Sequence, residues 1–472
     1  MTKSLSKAIA LATLVGVSAS AHAVNVNPDG LGQVLLYPLY TTEQGNDTNI
    51  SITNTTGFVK AVKVRFLEGQ NSQEVLDFNL YLSPYDQWSG AITQTEKGAK
   101  LVTFDRSCTA PAIPAGGVQF RDYQYKDDGG EKSLARSRVG HVEIIEMGDI
   151  NPEFTLPNSG TPGINLAGLA IHNPELSGAA GTNADCSALR AQFSGSGIWA
   201  GSDMQTGFLG ESAGGLYGHG AVLNVEKSTQ ISYDATAIDN FKAAGTTLHA
   251  KTGLTFPGLN DGKNSTATLK NGEVLEFAES IDAVSAVLMK HNISNDYVLD
   301  EGRLSETNWV ITFPTKRLHV YETDENAPFV NKWAKGQSCH EVGLRNWDNE
   351  EFAGTPADLD FSPSLPGESA ALCYETNILT FNKSKMLGGE FVSYDVSLDQ
   401  PDFQFGWMDI DFTETAPIVG LNIDDEEVNV TGLPAIGFSA VTISNNIAAN
   451  GVMNNYGSST SHKAKTSFDK MK

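Results

Sequence analysis

Basic residues are scarce in this chain. Its 32 lysines and arginines stand against 56 aspartates and glutamates, a formal net charge of −24 over 472 residues. A surface that acidic repels phosphate backbones and anionic lipid headgroups, which sets aside nucleic acid and membrane surfaces as partners. Cysteine is nearly missing too: there are four, and no two have the close spacing of a zinc or thiol-redox site. Beyond residue 23 no apolar run reaches the ~18 residues that a spanning helix needs, so no membrane insertion is expected. The histidines are scattered, with no H-E-x-x-H pair. No fixed period marks a repeat protein. With 19% charged and 40% hydrophobic residues and 46 glycines, the composition is that of a globular, loop-rich protein.

What is present starts at the N-terminus. Residues 1–23 have the build of a secretory signal peptide: Lys3 and Lys7, an apolar stretch over 8–19, and the small-residue site Ala21-His22-Ala23. Cleavage before Val24 would remove two lysines and no acid, taking the formal charge from −24 to −26. The expected address is therefore outside the cytoplasm, periplasmic or at the cell surface, in a bacterium. In that oxidising setting the four cysteines read as two disulfides. Of the three pairings, Cys108–Cys186 and Cys339–Cys373 are favoured because each stays within one half of the chain.

Strand signals dominate. In Lys60–Glu68, Val62, Val64 and Phe66 alternate with Lys63 and Arg65; in 75–82, Leu76, Phe78, Leu80 and Leu82 alternate with Asp77, Asn79 and Tyr81. Period-2 alternation places one set on a core face and the other in water. The expectation is a mainly β protein with two β-sandwich (immunoglobulin-like) domains, a few short helices and long loops. Residues 24–150 would form the first sandwich, of about seven strands. Residues 151–215 would be a Gly/Pro-rich connection carrying one short helix capped by Asp185. Residues 216–445 would form the second sandwich, with helical insertions over 234–244 and 282–290 and a strand over 317–321. Residues 446–472 would be a polar tail. Asn271-Gly272 signals a tight hairpin.

Candidate chemistry is sparse. Gly210-Glu211-Ser212-Ala213-Gly214 matches the nucleophile-elbow wording of α/β-hydrolase carboxylesterases, in which Ser212 would attack with His249, His291, His319 or His340 as base. The residues before it make a poor buried strand and those after it are too glycine-rich to open a helix, so a loop entering a strand is the structural expectation. Two acidic clusters, Asp409/Asp411/Glu414 and Asp424/Asp425 with Glu426 and Glu427, offer oxygens of the kind calcium takes, making calcium the one cofactor candidate. Of six tryptophans, Trp88, Trp309 and Trp407 sit in strand-like runs and are expected in the core. Trp199, Trp333 and Trp347 lie in loop-like sequence and are the candidates for stacking a sugar.

Four phrases resemble a family of uncharacterised exported proteobacterial proteins: Leu82-Ser83-Pro84-Tyr85-Asp86-Gln87-Trp88, Thr307-Asn308-Trp309-Val310-Ile311-Thr312-Phe313-Pro314-Thr315-Lys316, Cys373-Tyr374-Glu375-Thr376-Asn377-Ile378-Leu379-Thr380-Phe381 and Gly432-Leu433-Pro434-Ala435-Ile436-Gly437-Phe438. The resemblance implies secretion and bacterial origin and carries no catalytic residue. The functional expectation is a non-enzymatic structural or adhesive protein with protein or glycan partners at the cell surface. The alternative is a secreted hydrolase or carbohydrate-binding protein.

Overall fold

The computed structural model describes residues 22–157, 164–172, 184–321, 326–354, 370–398, 403–412, 415–445 and 454–470. The leader up to residue 21, Glu414 and the middle of the connection lie outside the described residues. The fold is mainly β, built from antiparallel sheets with a few short helices.

Sheet 1 has seven strands, in the order Asn25–Val26, Thr236–Asp239, Val34–Thr41, Val139–Asp149, Lys60–Glu68, Glu74–Leu82 and Cys108–Ala110. Sheet 2 has six: Thr229–Asp234, Leu216–Asn224, Asp47–Asn54, Gln87–Gln94, Ala99–Val102 and Val118–Gln119. Leu35, Val64, Phe66 and Ile144 of sheet 1 pack with Ile50, Ile52, Trp88 and Ile92 of sheet 2 in one core. The division expected at residue 216 does not hold, because the strands over 216–239 are hydrogen-bonded into these first two sheets. The pair therefore exceeds the seven strands expected of 24–150.

The far face of sheet 1 is covered as well. Val34, Leu36, Tyr81, Ile145 and Met147 pack against Leu166, Leu189 and Trp199 of the connection. This corrects the reading of Lys60–Glu68, whose strand is buried along its whole length. The alternation is real, but the polar set faces a second layer of protein instead of water. Each charge there is consequently paired, since an unpaired buried ion costs several kcal/mol. Lys60 holds Glu146 (3.2 Å) and Asp149 (2.7 Å), Lys63 holds Asp77, and Arg65 holds Glu74 (2.8 Å) and Glu143 (2.7 Å).

Sheet 3 combines the hairpin Thr266–Thr268/Val274–Glu276 with Ile418–Leu421, Glu427–Thr431 and Ser467–Lys470. Gly272 turns the hairpin at φ +85°, where a side chain would be strained. Helix Ser280–Leu288 sets Val284 and Leu288 among Leu275, Val428 and Val430. Sheet 4 runs Ala353–Gly354, Gly343–Asp348, Phe405–Asp411, Asn292–Val298 and Lys463–Lys465. Sheet 5 runs Ser393–Val396, Thr376–Phe381, Glu306–Thr312, Ile436–Asn445 and Asn454–Ser461. Tyr297, Met408 and Ile410 of sheet 4 join Trp309 and Phe381 of sheet 5 in the same continuous core as sheets 1 and 2. The stretch expected as a polar tail supplies three of these strands. Its polar alternation suits sheet edges, where one side is wet.

Two local expectations also fail. Residues 236–239 pair as a strand with Val34–Leu36 in place of a helix, because sheet pairing outweighs a favourable cap. Lys316–Val320 is a short helix, not a strand. Asp185 does cap helix Cys186–Ala191, accepting from Ser187 and Ala188 N–H at 3.1 and 3.0 Å. The disulfides are Cys108–Cys186 and Cys339–Cys373.

Candidate functional site

Ser212 lies half-exposed on the loop before strand Leu216–Asn224. Its hydroxyl donates to Glu146 and accepts from Lys242 Nζ. Both partners belong to the buried cluster of Lys60, Glu146, Asp149 and Lys242. Burial pushes Lys242 down and Glu146 up from their ordinary values, each partly offset by the other's charge. The N–H of Ala213, the group that would face an oxyanion, donates instead to Asp149 Oδ2 at 2.9 Å. Among the described residues none of the four histidines proposed as base bonds Ser212, whose hydroxyl is taken by Glu146 and Lys242. His249 bonds Tyr81 Oη (2.7 Å), His319 bonds Ser285 (2.8 Å), His340 is buried on strand His340–Glu341, and His291 is half-buried beside strand Asn292–Val298. A strand follows the serine, and the motif lacks the strand–turn–helix frame of an elbow. The Gly-rich loop is pinned over a buried ion network.

The acidic clusters fall in different sheets. Asp409 is buried on strand Phe405–Asp411, accepting from Asn292 (2.5 Å) and Ser294 (2.7 Å) and pairing with Arg345 (2.6 Å). Asp411 ends that strand, whereas Asp424 and Asp425 occupy the turn after Ile418–Leu421 in sheet 3. Among the described residues no three His, Cys, Asp or Glu side chains are placed to hold a metal ion.

The tryptophans are redistributed. Trp199 is buried on Tyr81, Phe193, Phe208 and His249, its indole N–H on Thr206 O at 3.0 Å. Trp333 is half-buried and donates to Asp128 O at 2.6 Å. Trp347 alone of the three candidates remains available, and its partner is Trp407, which the sequence had placed in the core. The two sit opposite each other on neighbouring strands of sheet 4, rings 4.1 Å apart and 13° from parallel. Trp407 is 41% exposed and Phe405, two residues earlier on the same face, 38%. Arg345 reaches over Trp347 at 5.9 Å while holding Asp409. The missed signal is one of parity. Phe405, Trp407, Asp409 and Asp411 share a face opposite Met408 and Ile410, and the two acids mark that face as the wet one.

A cleft of about 1090 Å³ crosses the solvent face of sheet 2 and runs under sheet 5. Its lining includes Asn49, Ser51, Ser89, Ser232, Phe104, which is 91% exposed, and half-buried Lys290. Such a concave site with a few polar groups is where a small ligand sits. Compared with protein-family models, curated proteins and solved structures, the chain matches none.

Proposed function

We propose that this is an exported, non-enzymatic adhesive protein of the bacterial periplasm or cell surface, which grips carbohydrate with the aromatic face of sheet 4. The observation that carries the reading is the solvent-facing Trp347–Trp407 stack, extended by Phe405 and bordered by the Arg345–Asp409 pair. Flat indole faces carry negative charge density that attracts the polarised C–H bonds of a sugar ring. The exposed guanidinium of Arg345 beside them can hydrogen-bond ring hydroxyls, and buried Asp409 holds it in place. The rigid sheet keeps the whole set in place without loop ordering. Export is supported by the leader-like residues 1–23 and by two disulfides that suit an oxidising compartment.

The test is affinity electrophoresis of the purified protein through gels containing cellulose, xylan, chitin or mannan. Retardation by at least one polymer is expected, with Trp407→Ala and Trp347→Ala each weakening it roughly tenfold, the size of ~1.4 kcal/mol. Both positions face solvent, so the variants should melt within a few degrees of the parent. Retardation unchanged in both variants, or absent from every gel, refutes the proposal.

A further inference from the structure

The cleft across sheet 2 holds a group that the sheet-4 face does not explain. Lys290 follows helix Ser280–Leu288 and pairs in register with Leu433, which fixes it on the lining of the cleft with Leu288 and Ile436. Among the described residues its ammonium has neither a carboxylate partner nor a hydrogen bond. The one charge recorded as acting on it is that of Lys270, which repels. Lys60, Lys63, Arg65 and Arg136, more deeply buried than Lys290, are each paired with an acid, and buried Lys316 rests on the carbonyls of Leu372 and Tyr374 and feels the charge of Glu375. Burial brings Lys290 down to about 8, which still leaves it charged at neutral pH. A cation kept charged and unanswered on the lining of a cavity calls for an anion from outside. The acids on the cleft are otherwise placed: Asp234 is held by His219 at 2.7 Å, and Asp105 accepts from Ser107.

The remaining lining decides what kind of anion. Hydroxyls and amides of Asn49, Ser51, Ser89, Gln230, Ser232 and Ser459 come from strands of two sheets, and Phe104 offers an exposed ring. That is a surface for a polyhydroxylated body. The formal charge of −24 disfavours polyanions at long range, but screening over roughly 8 Å leaves a single negative charge able to enter. We infer that the cleft is a binding site for a sugar acid, its carboxylate held by Lys290 and its hydroxyls by the serine and amide lining. This site is separate from the sheet-4 face and does not rest on that face binding anything.

The experiment is titration calorimetry of the intact protein with methyl β-D-glucuronoside, methyl β-D-glucoside and acetate. The glucuronoside is expected to bind, with the glucoside and acetate each at least tenfold weaker. Lys290→Met should cost roughly 10- to 100-fold in glucuronoside affinity, as removal of a charge-assisted hydrogen bond does, and Lys290→Arg should restore most of it. Trp407→Ala should leave this binding unchanged. The inference is overturned if the parent protein does not bind the glucuronoside at millimolar concentration. Equal binding by Lys290→Met, or acetate binding as tightly as the glucuronoside, also overturns it. Loss in Trp407→Ala would place the ligand on sheet 4 and has the same consequence.

Discussion

Arg136 is the residue whose replacement should do the most damage to this fold. It is buried within the short 3-10 turn Leu134–Arg138, and all five of its N–H groups are engaged. Nε and Nη2 meet the two oxygens of Glu68 at 2.5 and 2.8 Å, and Nη2 and Nη1 meet those of Asp128 at 2.6 and 2.9 Å. Nη1 also reaches Glu131 O at 3.2 Å, and the guanidinium lies 4.6 Å over the ring of Tyr125. Glu68 in turn accepts the backbone N–H groups of Gln70, Asn71 and Gln73. That turn carries the joint to sheet 5, since Gly69 O and Gln70 O accept from Thr376 and Glu375 N–H at 2.8 and 3.1 Å. Arg136→Met leaves two buried carboxylates without a counter-charge, which costs about 3–5 kcal/mol. Unfolding entropy of ~2.1 cal/mol/K per residue, over ~450 residues sharing one core, turns this into a melting point about 3–5 °C lower. Arg136→Lys keeps the charge and loses the fork, so it should fall between parent and Met variant. Calorimetric melting gives the magnitude. Hydrogen exchange at Gln70, Asn71, Gln73 and Thr376 gives the location, with faster exchange expected there first. A Met variant melting within 1 °C of the parent, or a Lys variant as damaged as the Met variant, refutes the reasoning.

Two further outcomes follow from the same buried chemistry. Cys108–Cys186 closes a loop of 78 residues and Cys339–Cys373 one of 34. Loop-closure entropy values these at about 4.5 and 4 kcal/mol, so replacing either pair by alanine should lower the melting point, the first pair slightly more. Equal melting of parent and Cys108→Ala/Cys186→Ala would show that the unfolded chain gains nothing from the opened loop. Glu375 is buried beside Lys316, and burial raises it to about 8 from the ordinary 4.5, with Lys316 pulling it down only in part. Its folded form holds a proton that the unfolded chain releases, so its contribution to stability is full below pH 4.5 and is lost as pH rises toward 8. Glu375→Gln should therefore match the parent near pH 4.5 and melt progressively higher than it by pH 8. A constant difference across that range would contradict the assignment.

Much of the architecture was legible in the residues. The mainly β class, the Asn271-Gly272 hairpin and the Asp185 cap each rest on local chemistry that needs no distant partner, and both cysteine pairings follow from four cysteines split between the two halves of the chain. The candidate sites were less legible. Ser212 presents hydrolase wording, but only the fold brings Lys242 from thirty residues away and Asp149 from another sheet to occupy its hydroxyl and its neighbour's N–H. Trp407 looked like core because strand sequence was equated with burial, while its own neighbours Asp409 and Asp411 already identified its face as the polar one.

The sequence by itself determined parity, that is, which side chains of a strand share a face, because the pleat alternates them whatever surrounds it. It could not determine which face meets water. That depends on what the rest of the chain lays over the sheet. Sheet 1 is covered on both sides, so Lys60, Lys63 and Arg65 had to find acids inside the protein. Sheet 4 is covered on one side, so its tryptophan pair and Arg345 stayed at the surface, with Asp409 buried beneath the guanidinium. Tertiary structure alone decided these outcomes, because burial belongs to the assembled layers and not to any one strand.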